Sequence, residues 1–145
     1  MKTTFLPLLL AATVAISGCM TAPYSQALAA GDQLQTRSYQ TRAFETTDRE
    51  KTLRAIIATM QDLGFVIDKA DATLGSVSAT KLRGYELRLT ATVRPRGAAQ
   101  LLVRANAQFK AHPQAIAVPI EDAAPYRDFF VALSKSLFLE GQQVD

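Results

Sequence analysis

The sequence predicts an α+β domain of two layers: one antiparallel sheet covered on one face by two helices, in the order β-α-β-β-β-β-α. Three observations carry that expectation. A capped amphipathic stretch begins at Thr47 and runs out on Gly64. Two runs, 85–93 and 100–109, alternate apolar and polar side chains. Near the end, Tyr126, Phe129, Phe130, Leu133 and Leu137 return to helical spacing. Each element is apolar on one side only, so a single shared core must lie between helices and sheet.

The chain has 145 residues, 16 basic and 13 acidic side chains, and one cysteine. Lys2, an apolar run from Phe5 to Ile16, and then Ser17-Gly18-Cys19 have the layout of a secretory signal. The run falls short of the ~20 residues that a spanning helix needs. Ile16-Ser17-Gly18-Cys19 resembles the lipobox of bacterial lipoproteins. That resemblance implies diacylglycerol on the Cys19 sulfur, cleavage after Gly18, and acylation of the new amino terminus, by palmitate or a similar chain. Met20, where an Asp would signal retention at the inner membrane, implies by the same resemblance the outer membrane, with the domain facing the periplasm. At about 0.8 kcal/mol per buried CH₂, one chain anchors marginally and two or more anchor stably. Cleavage would leave 127 residues with a net charge of +2, enough for one domain. Residues 19–36, rich in Ala, Gln, Ser and Gly, read as a lipidated start and flexible tether. The domain is expected over 37–141, with 142–145 as a tail.

Arg37 to Glu45 is the first expected strand, with Tyr39, Thr41 and Ala43 on one face. Thr47 and Glu50 have the spacing of a capping box, and Leu53, Ile56, Ile57, Met60 and Leu63 form the apolar stripe that follows. Gly64 suits the left-handed residue of a Schellman ending, with Phe65 folded back on Met60. Phe65–Lys69 and Ser76–Thr80 then alternate around turn residues 71–75, forming a hairpin. Tyr85, Leu87, Leu89, Ala91 and Val93 share one face of the clearest strand. Leu101, Val103, Ala105, Ala107 and Phe109 match them across a turn at 96–98, which would set Val93 opposite Leu101. Ile116, Val118 and Ile120 suggest an edge segment, since Pro119 forbids a central strand. Glu121, Asp122 and Pro125 suit the start of the second helix, and Gly141 its end.

A helix ending in Leu-Gly-Phe, a strand, and then Asp71-x-x-Leu74-Gly75-Ser76-Val77 resembles the helix-grip domains of BamC-type (NlpB) lipoproteins. Those are accessory subunits of the machinery that assembles outer-membrane β-barrels. The likeness covers about residues 37–140 in element order and 63–81 in motif. It implies the same fold, the same compartment, and a non-enzymatic role beside an envelope protein partner.

The residues themselves offer little chemistry. His112 is the only histidine and Cys19 the only cysteine, so neither has the company a metal or nucleophilic site needs. Asp62, Asp68 and Asp71 are explained by helix-exit and turn roles. The glycines stand singly and form no phosphate cradle. No cofactor or metal is expected, and no enzymatic activity. The polar face of the central hairpin does carry Arg88, Arg94, Arg104 and Lys110 against Glu86, with Lys81, Arg83 and Arg96 nearby and Leu102 as its one apolar member. A basic sheet that binds nucleic acid is expected to interleave stacking aromatics, and this one has none. Phosphate-bearing envelope lipids, an acidic partner protein or plain solvation remain for this face, and Arg88, Arg94, Leu102 and Arg104 are its candidate interaction surface. Two functions follow: a docking module of an envelope complex, or an envelope module that takes an acyl chain between helices and sheet.

Overall fold

A computed structural model describes residues 37–140. Its strands are β1 (Thr41–Phe44), β2 (Val66–Asp71), β3 (Ser76–Leu82), β4 (Glu86–Arg96), β5 (Gln100–Lys110) and β6 (Val118–Pro119). The helices α1 (Arg49–Asp62) and α2 (Ala123–Glu140) pack on each other and on one face of the sheet. The expected α+β order is present, with β6 as the short edge segment. All pairings are antiparallel, in the order β1-β5-β4-β3-β2, and β6 joins the β1 side of β5. Among the described residues, no helix is long and apolar enough to cross a membrane. The signal segment, Cys19, the tether, Gly141 and the tail lie outside the described residues.

The alternation places the core correctly. Val77, Ala79, Leu89, Ala91, Val93, Leu101, Val103, Ala105 and Ala107 are all buried on the helix side. The sheet offers mostly small side chains at its centre, and Tyr126, Phe129 and Phe130 of α2 fill the space above them. Large against small lets the two layers interdigitate at native packing density. Each fully buried aromatic contributes about 1.5–3 kcal/mol of transfer free energy.

The register differs from expectation by two residues. Arg96 pairs with Gln100, so the turn is 97–99, and Val93 faces Val103 rather than Leu101. Leu102 lies opposite Arg94, not Thr92, and Arg104 opposite Thr92, not Thr90. A shift of two leaves every side chain on its own face, because the side-chain period is two. Gly97, at φ 62, opens the turn and sets its position.

Two local expectations also change. The N-cap of α1 is Asp48, whose carboxylate accepts from Lys51 N at 2.9 Å, and not Thr47. Glu50 reaches forward to Arg54 at 2.6 Å and takes no part in a capping box. An Asp in the capping position also adds negative charge at the positive end of the helix dipole, which a threonine cannot. The exit is as expected: Gly64 has φ 82, its N–H donates to Gln61 O, and Phe65 N–H donates to Met60 O, both at 2.9 Å. That is the hydrogen-bond pair of a Schellman motif.

Residues 37–40 are helical, so the first strand begins only at Thr41. Their side chains make long-range contacts. Tyr39 stacks on Tyr126 with centroids 5.6 Å apart and donates its hydroxyl to Glu121 O. Gln40 is buried and donates to the Tyr126 hydroxyl at 3.1 Å. That hydroxyl also accepts from Ala107 N at 3.1 Å and donates to Ile120 O at 2.7 Å. One buried oxygen thus ties the lead, β5 and the approach to α2 together. Within β1, Arg42 and Phe44 pair with Val103 and Leu101, so Phe44 faces the core and Thr41 and Ala43 the open side.

Candidate interaction surface

The helices leave the other face of the sheet open, and strand pairing decides which side chains meet there. Down β4 stand Glu86, Arg88, Thr90, Thr92, Arg94 and Arg96; opposite them on β5 stand Lys110, Gln108, Asn106, Arg104, Leu102 and Gln100. Ser78 and Thr90 share a hydrogen bond at 3.2 Å, which makes the middle of the face neutral and polar.

The two ends of this face differ in charge. At one end Glu86 lies within 3.6 Å of both Arg88 Nη2 and Lys110 Nζ, so one carboxylate serves two cations. The three, with Gln108, Ala115 and Ala117, line a hollow of about 300 Å³. At the other end Arg94 faces Leu102, and Arg104 lies between Thr92 and Thr41. No carboxylate lies within salt-bridge distance of Arg94, Arg96 or Arg104 among the described residues. Arg94 and Arg104 are diagonal cross-strand neighbours, about 7–8 Å apart at the backbone. Both side chains are exposed, and Leu102 lies half-buried beside them. Of the four expected surface residues, Arg94, Leu102 and Arg104 form one corner, and Arg88 lies at the other end in its ion pair.

Lys81 does not belong to this face. It pairs with Leu87 on the helix side, where its Nζ donates to Leu63 O at 2.8 Å and lies 5.7 Å from the Phe65 ring centroid. It thereby satisfies a carbonyl at the negative end of α1. The signal was present in the sequence: Lys81 has the parity of Val77 and Ala79, which alternation assigns to the core side.

Between α1, α2 and the sheet lies an apolar cleft of about 160 Å³, walled by Leu63, Phe65, Leu87, Leu89 and Phe129, with Lys81 and Asp128 among its lining residues. His112 lines a separate hollow with Pro113, Leu82 and Tyr85. Asp71 accepts from Leu74 N at 2.9 Å, closing the β2–β3 turn, and Asp68 accepts from the Thr80 hydroxyl at 2.7 Å. Among the described residues, no three His, Cys, Asp or Glu side chains are placed to hold a metal ion.

These features define a two-layer α+β domain with one open sheet face, basic at one corner. The sequence matches no protein-family model and no curated protein.

Proposed function

We propose that this chain is a lipid-anchored envelope protein of the bacterial outer membrane, facing the periplasm, and that it serves as a non-enzymatic docking module for another envelope protein. The observation that carries the docking reading is the corner formed by Arg94, Leu102 and Arg104. Two cations with no carboxylate partner among the described residues flank a half-buried Leu on a rigid sheet, which suits an acidic protein surface with a small apolar contact. Arg88 contributes less, since Glu86 already compensates it. Anchoring rests on Cys19 and the lipobox-like segment before it.

A photo-crosslinking residue at Leu102, carried by the lipidated full chain in cells, tests both halves. Docking predicts one dominant crosslinked protein, lost in the pair Arg94→Glu and Arg104→Glu and weakened by salt. An unchanged crosslink in that pair would return the corner to an ordinary solvated face. Cys19→Ser should separately abolish processing and lipidation, and unchanged mass and membrane affinity would overturn the anchor.

A second reading, an acyl-chain module, is favoured by the cleft between the helices. Its volume of about 160 Å³ is close to the ~150 Å³ that takes up one benzene. It therefore suits the end of a chain rather than a whole one. Lipid retained after delipidating purification, and displaced by Leu89→Trp, would support this reading over docking.

A further inference from the structure

Residues 111–118, Ala-His-Pro-Gln-Ala-Ile-Ala-Val, contain no Lys, Arg, Asp or Glu, although the chain is 20% charged. Pro113 and a turn closed by Ala115 N to His112 O at 2.9 Å shape this link between β5 and β6. Ala115 and Ala117 line the hollow beside Arg88 and Lys110, and Ile116 between them is turned away, 87% exposed. Val118 is 50% exposed, and Leu82, at the neighbouring end of β3, 73%. Single exposed apolar residues are ordinary, but Ile116 and Val118 stand two residues apart in one uncharged segment, and Leu82 lies at the same end of the sheet on its open face. Around these three stand Arg83, Arg88 and Lys110, with Glu86 as the acid among them. Glu121 and Asp122 come later, toward α2, and Asp122 is engaged by Ala124 N at 3.0 Å.

The described chain begins on the same side. Tyr39 bonds to Glu121 O and Gln40 to the hydroxyl that holds Ile120 O, so the lead adjoins β6 and the segment after it. From Cys19 to Arg37 the chain spans at most about 60 Å, however it is folded. A membrane that holds Cys19 is therefore within reach of this edge.

We propose that residues 111–118 form a foot that rests on the bilayer, with Ile116 entering the boundary between headgroups and acyl chains and the surrounding cations meeting lipid phosphates. This rests on the anchoring reading and assigns the anchored domain an orientation. An apolar, uncharged tip inside a basic collar is the composition that favours an interfacial position. The docking corner at Arg94 and Arg104 would then point away from the membrane, toward the periplasm, since it occupies the opposite end of β4 and β5.

The chain has no Trp, so one introduced residue reports its own surroundings. The lipidated full chain carrying Ile116→Trp, and separately Ala98→Trp in the turn at the far end, is reconstituted into vesicles of phosphatidylethanolamine and phosphatidylglycerol and floated. The foot predicts that Trp at 116 emits at shorter wavelength than Trp at 98, and that lipids with brominated acyl chains quench only the former. Flotation with identical, water-like emission at both positions overturns the foot and leaves the anchor intact. A blue shift at 116 without bromine quenching means that protein, such as a second copy, covers the loop, and overturns the lipid assignment. Failure of both variants and of the unsubstituted chain to float overturns the anchor and the foot together.

Discussion

Where β3 begins, Gly75 is buried at φ 69, its carbonyl accepting from Val93 N at 2.7 Å; where β3 ends, Gly84 has φ 75 and open space around it. The side chains show the reverse contrast. Beside Gly75 and Val93, the arginines at 94, 96 and 104 have no acidic partner among the described residues, whereas beyond Gly84 Arg88 and Lys110 share the single carboxylate of Glu86. One end has a constrained backbone and uncompensated charge; the other has a freer turn and paired charge. Identical alternation runs through both ends, so the difference comes from cross-strand neighbours and from what packs over each turn. A rigid frame under such cations suits the proposed docking corner, because little ordering remains to be done on contact.

The largest expected effect tests the backbone half of that contrast. A Cβ on Gly75 would lie 2.7 Å from the Val93 carbonyl oxygen and 2.3 Å from Arg49 Nη2, on top of a left-handed φ. Arg49 can swing aside, but the backbone carbonyl cannot do so cheaply. Gly75→Ala should therefore cost about 3 kcal/mol or more, and Gly84→Ala only the ~1–2 kcal/mol of a left-handed alanine. Denaturant midpoints of the two variants compare them directly, and equal losses would remove the distinction between the ends.

A smaller effect is expected at Lys81, which secures the helix side near the Gly84 end. Lys81→Met keeps the stem against Phe65 and removes the donor to Leu63 O, for about 1 kcal/mol. Amide exchange in the last turn of α1 should quicken more than exchange in β4. A uniform change across the domain would mean that Lys81 acts through packing instead.

The smallest effect concerns the paired charges themselves. Glu86→Gln frees Arg88 and Lys110 and should change stability by less than about 1 kcal/mol, since these pairs are partly exposed. Its stability difference from the unsubstituted chain should shrink as salt rises. A difference that persists in high salt would show hydrogen bonding, and not charge, to be the main contribution of Glu86.

Much of this fold is written locally. The strands at 85–93 and 100–109 were legible because one face is buried, and burial imposes a strict period. Their pairing was not, because a shift of two preserves that period and only the conformation of Gly97 distinguishes the alternatives. Thr46, Thr47 and Asp48 could each cap a helix, so the position of α1 was legible and its first residue was not. The helical turn at 37–40 packs on Tyr126, more than eighty residues away, a contact that leaves no periodic trace. The open face of the sheet was legible as a set of even-numbered positions. Which of its cations are compensated depended on Glu86 facing Lys110, a fact of register.

Among the described residues, β2 forms one border of the sheet. β2 loses its regular alternation between Ile67 and Lys69, where a bulge leaves Asp68 beside Thr80 and puts Lys69 opposite Ser78. Such an edge twists away from flatness and presents charge where another chain would have to add a strand. At the opposite border β1 has four residues and β6 two, one of them a proline. Among the described residues, neither border offers a long, flat, uncharged template on which another copy could add a strand.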